Sequence, residues 1–482
     1  MIIQPARKSY YFEKGYTDLS NTIKGAWTNN KTSAAHYWSE LSSVNSNPDC
    51  NGWEKLFKSV LYIFATISVV VVGTIVTVLI SIIHISILIF VMFLVYIAFS
   101  IIWGIDRIYL IRNRIFSPCT VCTKSSEYLI PTYLCPKCGR EHTRLTPGVY
   151  GILKRECICG TMLPTTFFNG RRDLKAICPN PDCKAPIYGK ESKPICIPIV
   201  GGPAVGKTVF ITAFIKKFTE SIIPASNWEI EHYSPEKQKL LESIIKNYNV
   251  GSVTKTIDRS AISFNFFLKS KNGLWHPEKL FFIYDIAGEV FGGEIEDRLQ
   301  KQYLYAHGVV FIIDPFSCPD VMNDFSSKIS PADMAQISHT NPNDALDIFI
   351  QKLQDIAGLS PSDLSKVPIA VVINKTDIGE LNKLFNKTAL AEIIAKNPKM
   401  KLNESEAQNI ACKEFLRQNG MGNLVQTIEM KFKTNKFFDC SALGHSTGQG
   451  PMRPSHVMVP MRWLLSIIDK DIAKSWRQPV DD

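Results

Sequence analysis

The sequence predicts an α/β protein: a doubly wound, mainly parallel sheet, preceded by an apolar two-helix segment and a small cysteine-rich module. Three observations carry that expectation. Short apolar strands alternate with helical patterns from about residue 194 to 474. An almost unbroken Ile/Val/Leu/Phe run fills Ser59–Ile105. Eight of the 13 cysteines fall between Cys119 and Cys183. A chain of 482 residues suggests about three domains and is long enough to bury a core without staples. Its net charge of +10 is too thinly spread to demand a DNA partner.

Residues 1–57 read as a polar, Asn/Ser-rich cytosolic segment with a loop at Asn45–Asn51, and lack the early apolar run of a secretory signal. No chemistry attaches to them. The following run, bounded as 58–106, has no acidic or basic residue between Ser59 and Ile105 except His84. About 20 apolar residues cross a bilayer core. These 47 are too many for one span, so two are expected, roughly 59–81 and 85–105, turning at the polar cluster Ser81–Ser86. Lys55 and Lys58 before the run and Arg107, Arg112 and Arg114 after it place both ends in the cytosol. The expected localisation is therefore a two-span membrane protein with its later domains cytoplasmic, and a lipid bilayer as its first partner.

Residues 115–190 carry four cysteine knuckles: Cys119-x2-Cys122, Cys135-x2-Cys138, Cys157-x-Cys159 and Cys178-x4-Cys183. Thiolate pairs at this spacing grip a tetrahedral zinc from a tight turn, and eight thiolates make two structural Zn2+ sites. Two pairings are open. Sequential pairing joins 119/122/135/138 and 157/159/178/183; cross-braced pairing joins 119/122/157/159 and 135/138/178/183. The intervening lengths favour the first. Basic residues such as Arg140, Arg171 and Arg172 leave a nucleic-acid surface open, although a solvated charged face is the commoner reason for them.

The α/β region opens with an apolar strand at Ile195–Val200. Gly201, Gly202, Pro203, Ala204, Val205, Gly206, Lys207 and Thr208 follow, and then a helical pattern. A G-x-x-x-x-G-K-T run between strand and helix is a phosphate-binding loop. Its glycines let backbone N–H groups approach phosphate, Lys207 reaches the β/γ phosphates, and Thr208 offers an oxygen to Mg2+. Asp285, at the end of a second strand, is placed to hold Mg2+ through water, and Gly288 to offer an N–H to the γ-phosphate. A later strand delivers Asn374, Lys375, Thr376 and Asp377. A carboxylate at Asp377 accepts from the ring N–H and 2-amino group of guanine, which adenine does not offer. Ser441, Ala442 and Leu443 close the set with backbone N–H groups near the guanine carbonyl.

These motifs in this order resemble the P-loop GTPases of the TRAFAC clade, over roughly residues 194–470. The resemblance implies GTP/GDP and Mg2+ as ligands and GTP hydrolysis as the activity. The chain's wider architecture looks like that of the bacterial double-GTPase conflict-system families. That narrower resemblance implies a protein partner, a second GTPase, of which this chain carries only one. Some features depart from the pattern. The switch threonine that ligates Mg2+ is Thr254 or Thr256, with Thr256 preferred. Glu289 stands where the family often has a water-orienting Gln, and its charge repels the γ-phosphate. Pro203 crowds the same region. Slow hydrolysis follows as an expectation, as does the alternative of a nucleotide-binding membrane scaffold that scarcely turns over. Arg259 and Arg298 are candidate internal arginine fingers.

Overall fold

The computed structural model describes residues 4–475 except 49, 114, 116–129, 188–190, 233–234, 250–261, 272–277, 286–305, 356–358 and 446–451. It divides into two units: Met1–Arg112 with Thr132–Lys175, and Asn113–Pro131 with Ala176–Asp482.

The first unit begins with helix α1 (Lys14–Ser46), followed by α2 (Gly52–Ser68) and α3 (Thr74–Arg112). A single π turn, Val69–Gly73, joins α2 to α3, so helix runs unbroken over 61 residues. This corrects the expected two-span hairpin at 59–81 and 85–105: there is no turn at Ser81–Ser86. The polar groups read there as a break are absorbed by the helix itself. Ser81 Oγ donates to Thr77 O at 2.7 Å, and His84 Nδ1 lies 3.0 Å from Ile80 O. The cluster contains neither Gly nor Pro to stop a helix. Gly52–Arg112 is the one helix among the described residues long and apolar enough to cross a membrane.

The long helix does pair, but with α1. Contacts recede along one helix as they advance along the other: Asn45 to Ser59 (3.1 Å), Asn30 to the π turn, and Phe12 to Tyr96 (rings 5.3 Å apart). Leu19, Ile23, Ala26, Asn30, Ala34, Tyr37, Leu41 and Val44, three and four residues apart, run along the covered face of α1. Ser59, Thr66, Gly73, Thr77 and Ser81 lie on the covered side of the long helix. Asn30 caps the π turn: with its nitrogen toward Val69 O (3.1 Å) and its oxygen toward Thr74 N (3.3 Å), the amide bonds both groups that the widened turn leaves over.

Two short hairpins complete this unit, β1 (Thr132–Leu134) with β2 (Glu141–His142) and β3 (Lys154–Glu156) with β4 (Met162–Pro164). Residues 5–9 lie along the second hairpin. Ala6 bridges Cys157, Arg7 N donates to Glu156 O at 2.9 Å, and Ile158 N donates to Pro5 O at 3.1 Å. At the far end of α3, Asp106 is buried against Arg171. Arg171 Nη1 donates to Asp106 Oδ2 at 2.9 Å, and Phe167 N donates to Asp106 Oδ1 at 2.8 Å. The start of α1 and the end of α3, which lie together at one end of the antiparallel pair, are thus both fastened to the hairpins. The polar N-terminal segment supplies an isolated bridge from Ala6 to Cys157 and the helix α1.

In the second unit β5 (Ala176–Ile177) and β6 (Pro186–Ile187) form an antiparallel pair. A seven-stranded sheet follows, built from β7 (Lys193–Val200), β8 (Trp228–His232), β9 (Ile262–Ser270), β10 (Lys279–Asp285), β11 (Val309–Ile313), β12 (Ile369–Ile373) and β13 (Asn435–Asp439). Its spatial order is β13-β12-β11-β7-β10-β9-β8. The strands from β13 to β10 are parallel; β9 runs antiparallel to β10, and β8 to β9. The four central parallel strands read as continuous apolar runs because helices cover both faces. The expected doubly wound sheet is present. Edge strand β8, inside the 40-residue stretch after the first helix, was not anticipated.

The flanking helices are α4 (Lys207–Lys217), α5 (Pro235–Asn249), α6 (Pro342–Asp355), α7 (Lys387–Lys396), α8 (Glu404–Gln418), α9 (Gly422–Lys431), α10 (Met458–Ile468) and α11 (Lys470–Ser475). Two cores, one per face, are centred on Phe311, Phe349 and Ile428 and on Phe210, Phe281 and Leu464. Helix α8 starts on a capping box: Asn403 Oδ1 accepts from Glu406 N and Glu406 Oε2 from Asn403 N, each at 2.9 Å.

Candidate functional site

The parallel strands β7, β10, β11, β12 and β13 deliver their carboxyl ends to one edge of the sheet, where α/β sheets bind ligands. β7 ends at Val200, and the loop Gly201–Gly206 turns into α4. The loop needs its glycines. Gly201 (φ +152°) has the Ile312 carbonyl where a Cβ would stand, and Gly206 (φ +91°) has the Asn374 amide there. Ala204 is held left-handed at φ +59°. Lys207 is buried, and its Nζ donates to Gly201 O (3.0 Å) and Gly202 O (2.7 Å), which holds the charge at the loop. With the first N–H groups of α4, this is an anion-binding arrangement. Thr208 occupies the second position of α4. The backbone of Asp285 ends β10 opposite Ile199 of β7, one strand from the loop. Their oxygen donors are of the hard type that Mg2+ takes.

Asn374 ties two loops together. Its Nδ2 donates to Val205 O at 2.9 Å, and its Oδ1 accepts from Ala442 N at 3.1 Å. Lys375, at φ +60°, extends its amine back over the loop, donating to Ala204 O (2.7 Å), Gln336 O (2.7 Å) and Asp314 Oδ2 (2.6 Å). Asp314 also accepts from Phe316 N and Ser338 N. Asp314 and its partner segment Gln336–Ser338 were not singled out in the sequence; an acid directly after the strand Val309–Ile313 was the available signal. Asp377 Oδ1 accepts from Ser441 Oγ, which accepts in turn from Gly444 N at 2.8 Å. Burial raises the carboxyl of Asp377 above the usual range, with the Ser441 bond opposing. Tyr248 of α5 props the same loop by donating to Ala442 O at 2.8 Å. The structure therefore gathers the Gly201–Thr208, Asn374–Asp377 and Ser441–Leu443 groups at one edge. Thr254, Thr256, Arg259, Gly288, Glu289 and Arg298 lie outside the described residues.

The cysteines assemble differently from either expected pairing. Cys135, Cys138, Cys157 and Cys159 converge, their sulfurs all within 4.8 Å of one another. This corrects both sequential and cross-braced schemes: the middle two knuckles share one site. Each knuckle tips its own hairpin, and the tips meet. Gly139 N donates to Cys135 O and Gly160 N to Cys157 O, both at 2.8 Å, in turns with positive φ at the glycine. The Sγ separations Cys135–Cys159 and Cys138–Cys157 are 3.6 Å each. Tetrahedral ligands about 2.3 Å from a zinc ion stand about 3.8 Å apart, so the set fits the metal. The Cys159 thiol is lowered to about 6 by the hydroxyl and N–H of Thr161, favouring the thiolate a metal takes. Cys178 and Cys183 belong to the β5/β6 turn, with Cys178 N donating to Ala185 O; Cys119 and Cys122 lie outside the described residues. His142 is fully buried and is not part of the cluster.

No protein-family model matches the chain, and no curated protein does. Solved structures match weakly. The Arl6 (BBS3) small GTPase of Trypanosoma brucei with a bound nucleotide analogue matches at TM-score 0.27 and 12% identity, over 58% of this chain and 99% of that one. The Saccharomyces cerevisiae Ski7 GTPase-like domain bound to GTP gives 0.26 and 12%, over 60% and 52%. A bacterial selenocysteine-specific elongation factor gives 0.18 and 16%, over 50% and 28%. The matched region spans about half of the Ski7 structure. Likenesses this slight carry no weight; the class of the second unit, a P-loop α/β domain, follows from its own strand order and loop geometry.

Proposed function

We propose that this chain is a membrane-associated, guanine-nucleotide-binding switch that hydrolyses GTP to GDP. The observation that carries the reading is Asn374, whose amide bonds the Gly201–Thr208 loop and the Ser441–Leu443 loop at once. It sets Asp377 beside the base-side loop at a fixed reach from the phosphate-side loop. Asp377 is the guanine acceptor. Ala442 N is engaged by Asn374, so Leu443 N is the donor left for the base carbonyl. Lys207 and the N–H groups of α4 bind the phosphates. Thr208 and Asp285 would hold Mg2+, which when bound neutralises charge on the β and γ phosphates. Thr256, Gly288 and Glu289 complete the hydrolytic role by sequence position alone. GTP would order the switch segments that carry them and hydrolysis release them, which is how such a domain signals to a partner protein.

Zinc fixes the tips of the two hairpins in the first unit, a structural role. The four remaining knuckle cysteines, Cys119, Cys122, Cys178 and Cys183, are left to form the second zinc site. The apolar surface of Gly52–Arg112 calls for lipid, and hence a membrane location with the nucleotide domain in the cytoplasm. A second GTPase as partner, and a place in bacterial defence, rest on the conflict-system resemblance. Single-turnover hydrolysis of GTP by the full chain with Mg2+ tests the reading. Turnover lost in Lys207→Ala supports a switch. Tight GTP binding without turnover selects the scaffold alternative.

A further inference from the structure

Resting on the membrane reading above, we propose that the α1/long-helix pair lies in the plane of one lipid leaflet instead of crossing the bilayer. The long helix sits among the acyl chains and α1 at the headgroups. Length is the first argument. The unbroken apolar stretch Ser59–Ile105 is 47 residues, or about 70 Å of helix. A hydrocarbon core is about 30 Å thick, and spanning helices tilt by about 40° at most. Even at that tilt the stretch rises about 54 Å, leaving roughly 24 Å of that rise, or about 31 Å of apolar helix, outside the core. Lying flat, all of it is covered.

The second argument is α1. With the turn Tyr10–Phe12 before it, α1 follows the long helix from Ser59 to Tyr96, so any segment of that stretch that crossed the core would take this N-terminal segment with it. The outer face of α1 carries exposed Asp18, Lys24 and Lys31 among Thr, Ser and Asn. Charges of this kind are costly at the bilayer centre. At the headgroups they stay hydrated, as do Lys14, Lys55 and Lys58 and the acids Glu13, Asp18, Glu40 and Glu54 interspersed with them. Packed helices lie about 8–10 Å apart, so α1 at the headgroups places the long helix within the acyl layer of the same leaflet.

Sidedness tests this. Full-length protein is added to preformed sealed vesicles of mixed zwitterionic and anionic phospholipid, which leaves the chain beyond Arg112 outside. Cys50, in the loop between α1 and α2, is then titrated with a membrane-impermeant thiol reagent, and Cys50→Ser subtracts every other thiol. The expected result is flotation with the vesicles and the same Cys50 labelling before and after detergent lysis. Ile75→Asp with Ile83→Asp, both on the open side of the long helix, should abolish flotation. Labelling that appears only after lysis would overturn the in-plane placement while sparing the membrane reading. Absence of flotation would overturn both. Flotation that survives the double substitution would show that the long helix is not the immersed element, and would also overturn the proposal.

Discussion

Replacing Asn374 by Ala should separate the two halves of the nucleotide site. The side chain makes two buried bonds, Nδ2 to Val205 O at 2.9 Å and Oδ1 from Ala442 N at 3.1 Å. Alanine leaves the Val205 carbonyl and the Ala442 N–H without those partners, at about 1–3 kcal/mol for each buried orphan. The summed cost is about 2–6 kcal/mol, and water entering the vacated space holds it toward the lower end. For a domain of this size about 3 kcal/mol lowers the melting temperature by roughly 6–12 °C. Asn374→Asp keeps the acceptor but loses the donor and buries a charge, so it should be at least as damaging. The assay is thermal unfolding of the full chain by circular dichroism, paired with titration of a fluorescent GTP analogue at a temperature where the variant is folded. Nucleotide affinity should fall at least tenfold, because the base-side and phosphate-side loops no longer share a fixed spacing. A variant that melts with the wild type and binds nucleotide as tightly would refute the bridge.

Other expectations follow from the same geometry. Asp314→Asn removes the charge facing Lys375 in a buried pair; about 3–5 kcal/mol of stability should be lost, read by urea denaturation. Replacing Cys135 and Cys157 together by Ser should release one zinc per chain in a metal assay. Release of two would restore the sequential or the cross-braced pairing, in each of which the two sites hold one of these residues apiece. Burial lowers His142 from 6.5 to about 4, with Arg155 adding to the effect. A histidine depressed on folding contributes stability above its unfolded pKa and loses it as pH falls through the window from 6.5 to about 4. That loss is about 3 kcal/mol, and His142→Phe should lack this component in denaturation profiles taken across the window. Gly201→Ala should abolish nucleotide binding, since its Cβ would meet the Ile312 carbonyl at a left-handed backbone position.

What the sequence disclosed and what it hid divide along physical lines. The phosphate loop and the Asn374–Asp377 turn are local: their glycines and acids act on backbone a few positions away, so short spacings reveal them. The zinc pairing is non-local. Cys135-x2-Cys138 and Cys157-x-Cys159 each announce a knuckle, but which knuckles meet depends on which hairpin tips face each other. The helix pair hid in its own composition. The seam of α1 is built from Ala26, Asn30, Ala34 and Tyr37 as much as from Leu19 and Leu41, so its period is faint to an apolar count. Ser59, Thr66, Gly73, Thr77 and Ser81 mark the facing seam, and Ser81 was mistaken for a turn. Asp106 and Arg171 are far apart in sequence, and nothing in it announces that they bury each other.

The most direct test of a guanine-specific site is the nucleotide preference of Asp377→Asn against the wild type, measured by equilibrium binding of GTP, ATP and XTP to the full chain. A carboxylate accepts two hydrogen bonds from guanine, about 1.5–3 kcal/mol each for charged partners, so the wild type should prefer GTP to ATP by roughly 10²-fold or more. The Asn amide offers a donor to the 2-carbonyl of xanthine, and the variant should lose GTP and gain XTP. A wild type that binds ATP as well as GTP, or a variant whose preference does not change, would contradict the account.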